Sequence, residues 1–244
     1  MVFITGDTHG LKDVARFNSD YFLKHINKKG NFVIITGDCG ATWNKTTMQK
    51  AQEFYEKFDC TFLFVDGNNE NFDILDNLQV EKFAGGNVHK VAKNLFHLMR
   101  GEIFSIEGRA FLAFGGADSW DAPTRYPYTT RHVGTSWWAR ECPSKQEFKN
   151  AIENLKKHNN EVDFIITHEG TSKFAAHFGS LQADVCRMND AIEKIAKFRF
   201  WFVGHHHRPC TVGRIECVFN NFVDISRYEK LPLKAKEMSD EFSF

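Results

Sequence analysis

The chain has no excess of charge: across 244 residues, 31 Lys and Arg balance 31 Asp and Glu. A neutral surface gives no bulk attraction for nucleic-acid backbones or anionic membranes. No apolar run approaches the roughly 20 residues of a membrane helix. No secretory leader is apparent either, since Met1-Val2-Phe3-Ile4-Thr5 runs straight into polar Gly6-Asp7. The 6 cysteines form no C-x-x-C and read as reduced thiols of a cytoplasmic protein. Repeats and low-complexity linkers are also missing. The expectation is therefore one domain over residues 1–230 with a charged tail at 231–244, and no feature specifies an oligomeric state. Apolar material is abundant, at 42% hydrophobic content and 25 Phe, enough for a large core.

Short apolar runs alternate with helical patterns. Val2–Thr5, Phe32–Thr36 and Thr61–Val65 read as strands buried on both faces. Helices are expected from Leu11 to about Asn27, over Thr46–Phe58, from the capping box Ser144-Lys145-Gln146-Glu147 to about His158, and over Asp184–Lys197. Phe96–Leu98, Glu102–Ser105 and Ala110–Phe114 suggest an antiparallel meander. Asp163–Thr167 and Arg199–Val203 are further strands, with antiparallel closing strands around Val212, Ile215–Phe219 and Phe222–Ile225. Between them, Gly115 to Pro143 has no period and is rich in Trp, Tyr and Arg, the profile of a functional loop.

The strand ends carry the chemistry. Each of five apolar strands terminates in a group able to bind metal: Asp7 with His9, Asp38, Asn68, His168, and His205 with His207. One Gly-Asp after a strand is ordinarily a turn, and one Thr-His is ordinarily a satisfied polar residue. The joint pattern is not explained by turns. In open α/β sheets ligands bind outside the carboxyl ends of the strands, so strands of one sheet would bring these groups to one edge. The run Gly204-His205-His206-His207 is internal, unlike an expression tag. In extended backbone His205 and His207 would share a face and His206 would point away. A mixed Asp, Asn and His set suits Mn, Fe, Co, Ni or Zn. The set exceeds the needs of one ion, and a carboxylate can bridge two. Paired ions about 3.5–4 Å apart act on both the attacking and the leaving oxygen of a phosphoryl displacement.

In order and spacing, Asp7-Thr8-His9-Gly10, Gly37-Asp38, Gly67-Asn68-Asn69-Glu70, His168 and Gly204-His205-His206-His207 resemble the calcineurin-like metallophosphoesterases. The resemblance spans nearly the whole chain. It implies an α/β fold of two mixed β-sheets packed as a sandwich flanked by helices, a four-layer αββα arrangement. It also implies two divalent metal ions, Mn first among the choices. Asp7, His9 and His207 would hold one, Asn68, His168 and His205 the other, and Asp38 would bridge them. The implied substrate is a phosphate ester.

Two positions depart from the family pattern. Asn69 stands where the family has its general-acid His, and Ala41 where it often has the Asp that orients that His. The Arg that follows in protein phosphatases is replaced by Thr42. An amide cannot protonate a leaving alkoxide, so good leaving groups are favoured or Glu70, His132 or His206 donates instead. Family members lacking this His lean towards phosphodiesters. The expected function is thus a metal-dependent phosphoesterase that prefers phosphodiesters. The alternatives are a phosphomonoesterase, acting on small molecules or proteins, and a catalytically reduced scaffold. In the 115–143 loop, Arg125 and Arg131 offer guanidiniums for phosphate, and Trp137 and Trp138 offer rings for stacking unless they pack the loop onto the core.

Overall fold

The computed structural model describes residues 1–179 and 184–234. Its central strands are too apolar to expose either face, and the strands form two sheets with a core between them. The first contains β1 (Val2–Thr5), β2 (Phe32–Ile35), β3 (Thr61–Phe64), β4 (Val80–Phe83), β5 (Gly86–Ala92) and β6 (Leu95–Leu98). The second contains β7 (Glu102–Ile106), β8 (Arg109–Phe114), β9 (Phe164–Thr167), β10 (Phe200–Val203), β11 (Cys210–Val212) and β12 (Ile215–Cys217). A last strand, β13 (Val223–Asp224), returns to the first sheet. The spatial orders are β13-β1-β2-β3-β6-β5-β4 and β11-β12-β10-β9-β8-β7. β1, β2, β3 and β6 are mutually parallel, as are β8, β9, β10 and β12, and antiparallel strands finish the edges.

The period of two divides each strand between two cores. Val2, Ile4, Ile34 and Leu63 from the first sheet meet Phe111, Phe164, Ile166 and Phe202 from the second. The intervening residues Phe3, Val33, Ile35 and Phe62 face outward onto Phe17, Phe22 and α1 (Lys45–Tyr55), which buries Ala51 and Tyr55. On the opposite outer face, Leu112, Ile165 and Trp201 pack against α3 (Lys145–Lys157) and α5 (Asp184–Ile195). Two short helices, α2 (Phe72–Leu75) and α4 (Ser172–His177), follow β3 and β9. The fold is the expected sandwich of two mixed sheets flanked by helices. No helix of the described residues is long and apolar enough to cross a membrane.

The capping box at Ser144 and Glu147 forms in full. Other expectations are corrected. The segment from Leu11 to Asn27 is not one helix: it has a short turn at Ala15–Asn18 and a wide one at Phe22–Ile26, with Ser19 extended between them. The Ser19 hydroxyl accepts the Phe22 N–H at 3.2 Å, a local bond that competes with a continuing helix. The meander forms only in part: β7 and β8 pair antiparallel as expected, but β6 does not join them. β6 stays in the first sheet, and the chain crosses to β7 through Gly101, at φ +81° and against the α3 backbone. β4 and β5 were not anticipated, because β4 is a polar edge strand. Of the closing strands, β12 runs parallel to β10, while β13 pairs antiparallel with β1. The chain then packs Leu231 on the inter-sheet core and bonds Lys234 to Phe198; the rest of the expected tail, 235–244, lies outside the described residues.

Candidate metal centre

The ligand-bearing strand ends belong to both sheets rather than one. β1, β2 and β3 deliver Asp7, His9, Asp38 and Asn68, and β9 and β10 deliver His168, His205 and His207. The site lies where the carboxyl ends of the two parallel sets meet at one end of the sandwich. Contacts cross directly from sheet to sheet: His168 Nδ1 lies 2.8 Å from the Thr36 carbonyl, and His207 Nε2 lies 2.8 Å from Asp7 Oδ2.

Glycine makes this approach possible. A Cβ on Gly37 would fall 2.1 Å from His168 Nδ1, one on Gly67 would fall 2.1 Å from Asp38 Oδ1, and one on Gly204 would fall 2.4 Å from Asp7 Oδ1. These are the glycines that immediately precede Asp38, Asn68 and His205. The backbone is also held in an unusual state. His9, Asp38, His205 and His207 all have positive φ, at 44°, 47°, 66° and 51°. L-residues adopt this region at a cost that surrounding structure must sustain, and such residues cluster at functional sites. The histidine run is therefore a kinked loop and not the extended segment expected. The kink still separates the rings, since His207 goes to Asp7, His205 lies beside His168, and His206 turns to Glu169.

Two compact donor groups result. In each of Asp7–His9–His207 and Asp7–Asp38–His168, the ligand atoms lie within 4.8 Å of one another. Asp7 belongs to both. Asp38 touches both as well, with Oδ2 3.5 Å from His9 Nε2 and Oδ1 3.3 Å from His168 Nε2. Asn68 Oδ1 is 3.3 Å from His168 Nε2, and the His205 ring centroid is 5.0 Å from that of His168. The donor types and their spacing fit divalent ions of the N/O class.

Outer partners fix the orientation of each donor. The His168 Nδ1–H is taken by Thr36 and His9 Nδ1 by Asp13 at 2.7 Å, which leaves each Nε2 facing the cluster. Asp38 accepts the Asn69 N–H at 2.7 Å and the Asn69 side-chain amide at 2.6 Å. Asn68 donates to Ser119, which donates to Glu141, a chain at 3.2 and 2.8 Å that points the Asn68 carbonyl oxygen at His168. Arg16 binds the Gly6 and Asp7 carbonyls at 2.5 and 2.7 Å.

Electrostatics follow from this crowding. Burial opposes charge on His168, but Asp38 and Asp7 overcome it and raise the group to about 10. His9 rises in the same way to about 9 against its burial, through Asp38, Asp13 and Asp7. Asp38 is buried, yet His168, His9 and Asn69 hold it well below the carboxylate range. Burial, with His168 and His206 nearby, lowers His205 despite Glu169, which favours the neutral form that can bind metal.

The remaining candidates divide. Asn69 lies against Asp38, and the Arg131 guanidinium donates to its Oδ1 at 3.3 Å while paired with Asp121 at 3.0 Å. Glu70 points away, accepting from the Gly40 N–H and the Thr42 hydroxyl at 3.1 and 3.4 Å; burial, with Asp38 and Asp66 nearby, pushes it up to about 8. His206 is stacked on Phe178 with centroids 4.0 Å apart and bonds Glu169 at 3.0 Å. His132 is exposed. Arg125 is exposed and engaged with Asp118. Trp137 and Trp138 are buried, their N–H groups satisfied by Glu141 and Asp73, both at 2.8 Å. They pack the loop onto the body in place of the stacking role expected, because both rings and both donors are already used.

Sequence reasoning missed Glu169, Glu141 and Asp13. Glu141 reaches the site only through tertiary contact, whereas Glu169 directly follows His168 in the chain and was legible from position. Asp13, four residues after His9, was accessible from spacing alone.

A comparison with curated proteins gives no match. The sequence model described as calcineurin-like phosphoesterase matches residues 1–209. With the sandwich fold and the converging ligand loops, that match shows that the chain belongs to the calcineurin-like phosphoesterase family.

Proposed function

We propose that the protein hydrolyses phosphate esters with two divalent metal ions, prefers phosphodiesters, and works with Mn in a reducing, cytoplasmic compartment. Residues 1–230 would form the catalytic domain, with the 115–143 loop as its insert. The family is one of metal-dependent phosphoester hydrolases. The observation that carries the two-ion reading is the placement of Asp38 between His9 and His168, at 3.5 and 3.3 Å. All 6 cysteines are free, which supports the reducing compartment.

Asp7, His9 and His207 would hold one ion, and Asn68, His168 and His205 the other, with Asp38 shared. Bound ions of this kind polarise the phosphoryl oxygens and lower the pKa of water. The chain's own task is to hold donors still. Thr36 and Asp13 fix the ring orientations of His168 and His9, Asn69 fixes the Asp38 carboxylate, and the Glu141–Ser119 pair fixes the Asn68 amide. Asn69 supplies no proton, and neither Glu70 nor His206 points to the cluster, so good leaving groups are favoured. The test is Asp38→Asn, measured for bound metal and for turnover of bis(p-nitrophenyl) phosphate with Mn. Both should fall together, whereas retained activity refutes the assignment and turnover of monoesters alone refutes the diester preference.

A further inference from the structure

Beside the metal edge opens a cleft of about 390 Å³. His9, Gly40 and Asn69 belong to its wall, so it is continuous with the donor cluster, and Trp43, Lys12 and Lys50 are among the other residues that line it. Its volume falls in the range of roughly 300–1,000 Å³ usual for small-molecule sites. Lys12 follows His9 on the first loop, and Lys50 projects from α1. Among the described residues neither ammonium has an ion-pair or hydrogen-bond partner. Trp43 is half-buried, set edge-to-face against Trp138 at 5.8 Å. One cleft thus combines two unneutralised cations with an aromatic ring, in a protein whose net charge is zero.

The cleft residue in contact with Asp38, Asn69, is an amide and has no proton to give to a leaving oxygen. The Asn69 amide is committed on both sides, donating to Asp38 and accepting from Arg131. An oxygen leaving beside Asn69 gains no proton from it, which disfavours an alkoxide. Asn69 therefore supplies none of the about 10²–10⁴-fold that general acid catalysis contributes. A phosphate oxygen tolerates this, because the second ionisation of a phosphate ester lies near 6. Two lysines would then stabilise the departing charge in place of an acid.

We propose that this cleft binds the leaving group, and that the leaving group is itself a nucleotide, joined to the attacked phosphate by a P–O–P linkage. Its flat base lies against Trp43 and its phosphate against Lys12 and Lys50. The inference rests on the metal-dependent hydrolysis proposed above. A water oxygen adds to the attacked phosphorus, and the bond from that phosphorus to the bridging oxygen breaks. The bridging oxygen leaves with the electron pair on the nucleotide's phosphate, and the proton from water passes to solvent.

The experiment has a turnover arm and a binding arm. Diadenosine triphosphate is compared with bis(p-nitrophenyl) phosphate, whose leaving group has a ring but no phosphate, using the Mn-loaded protein and the double variant Lys12→Ala, Lys50→Ala. Loss of two charge-assisted contacts should lower kcat/KM for the dinucleotide ~100-fold, with a loss at least about tenfold smaller for the bis-ester. In the binding arm, adenosine 5′-monophosphate is titrated into metal-free Asp38→Asn protein by calorimetry. It should bind, and adding Trp43→Leu should weaken it by about tenfold or more, as expected for one stacked base. Equal losses on both substrates, no loss on the dinucleotide, or no nucleotide binding would overturn the proposal. Binding to the inactive, metal-free variant requires no turnover, so failure of the cleft and failure of the metal assignment give different results.

Discussion

Gly67→Ala places a methyl carbon 2.1 Å from Asp38 Oδ1, 2.6 Å from the Asp38 backbone nitrogen and 2.7 Å from His168 Cδ2. Ordinary contact begins at 3.4 Å, so the carboxylate oxygen must recede by about 1.3 Å. It cannot swing freely, because the same oxygen accepts the Asn69 N–H at 2.7 Å and the other accepts the Asn69 amide at 2.6 Å. The backbone nitrogen of a residue at φ 47° has less freedom still. Overpacking of this kind costs about 1–3 kcal/mol of stability. The functional cost should be larger than the fold's loss suggests. A displacement near 1 Å at a reacting centre costs ~100-fold, equivalent to about 2.7 kcal/mol of transition-state stabilisation. The assay pairs thermal melting of the metal-free variant with Mn stoichiometry and kcat/KM on the chromogenic diester. The variant should fold, melt lower, bind Mn weakly and lose about two decades of kcat/KM. A folded variant that binds Mn like the parent and keeps kcat/KM within about threefold would refute the argument that Gly67 exists to admit Asp38.

Three other outcomes follow from the site. Ser119→Ala breaks the chain from Glu141 to Asn68 and should weaken one metal by ~10–100-fold, the usual effect of losing an outer partner; unchanged affinity in a metal titration contradicts the positioning role. His205→Ala and His207→Ala should each remove metal and activity, while His206→Ala should keep both ions, since its ring bonds Glu169 and stacks on Phe178; metal analysis showing equal loss in all three would overturn this division. Finally, His9 and His168 are raised to about 9 and 10 by Asp38 and its neighbours, above the ordinary value of 6.5. A raised folded value means that the stabilisation is complete below about 6.5 and is lost as pH rises through 9 and 10. Chelator-treated protein should therefore melt progressively lower from pH 7 to 10, while Mn affinity rises over the same range as the protons leave. A metal-free melting temperature that rises with pH in this window would show that these histidines are not held protonated by Asp38.

Much of the site was legible because its residues occupy strand ends. A fully apolar run followed by Gly-Asp, Gly-Asn or Gly-His advertises both a buried strand and a polar group at its carboxyl end, and order along the chain does not depend on which strands pair. Asp7, His9, Asp38, Asn68, His168, His205 and His207 come together at one end of the sandwich, from two sheets in place of the one expected. The sheet membership was not legible. β6 and β7 look like neighbours of one meander, yet Arg100, buried between them, pairs with Asp66 at 2.5 Å and with Glu147 at 3.3 Å, and the chain changes sheet there.

The sequence by itself determined most of the strand-and-helix alternation, the period-two division of each strand and the choice of candidate donors, since all are local patterns of burial and chemistry. Tertiary structure alone decided what each donor faces. That Thr36 orients His168, that Glu141 acts on Asn68 through Ser119, and that His206 belongs to Glu169 depend on contacts between residues 132, 73 and 37 positions apart. Hydrogen bonds over such separations leave no spacing signal. They exist only once two sheets have closed on one core and brought their carboxyl ends to the same edge.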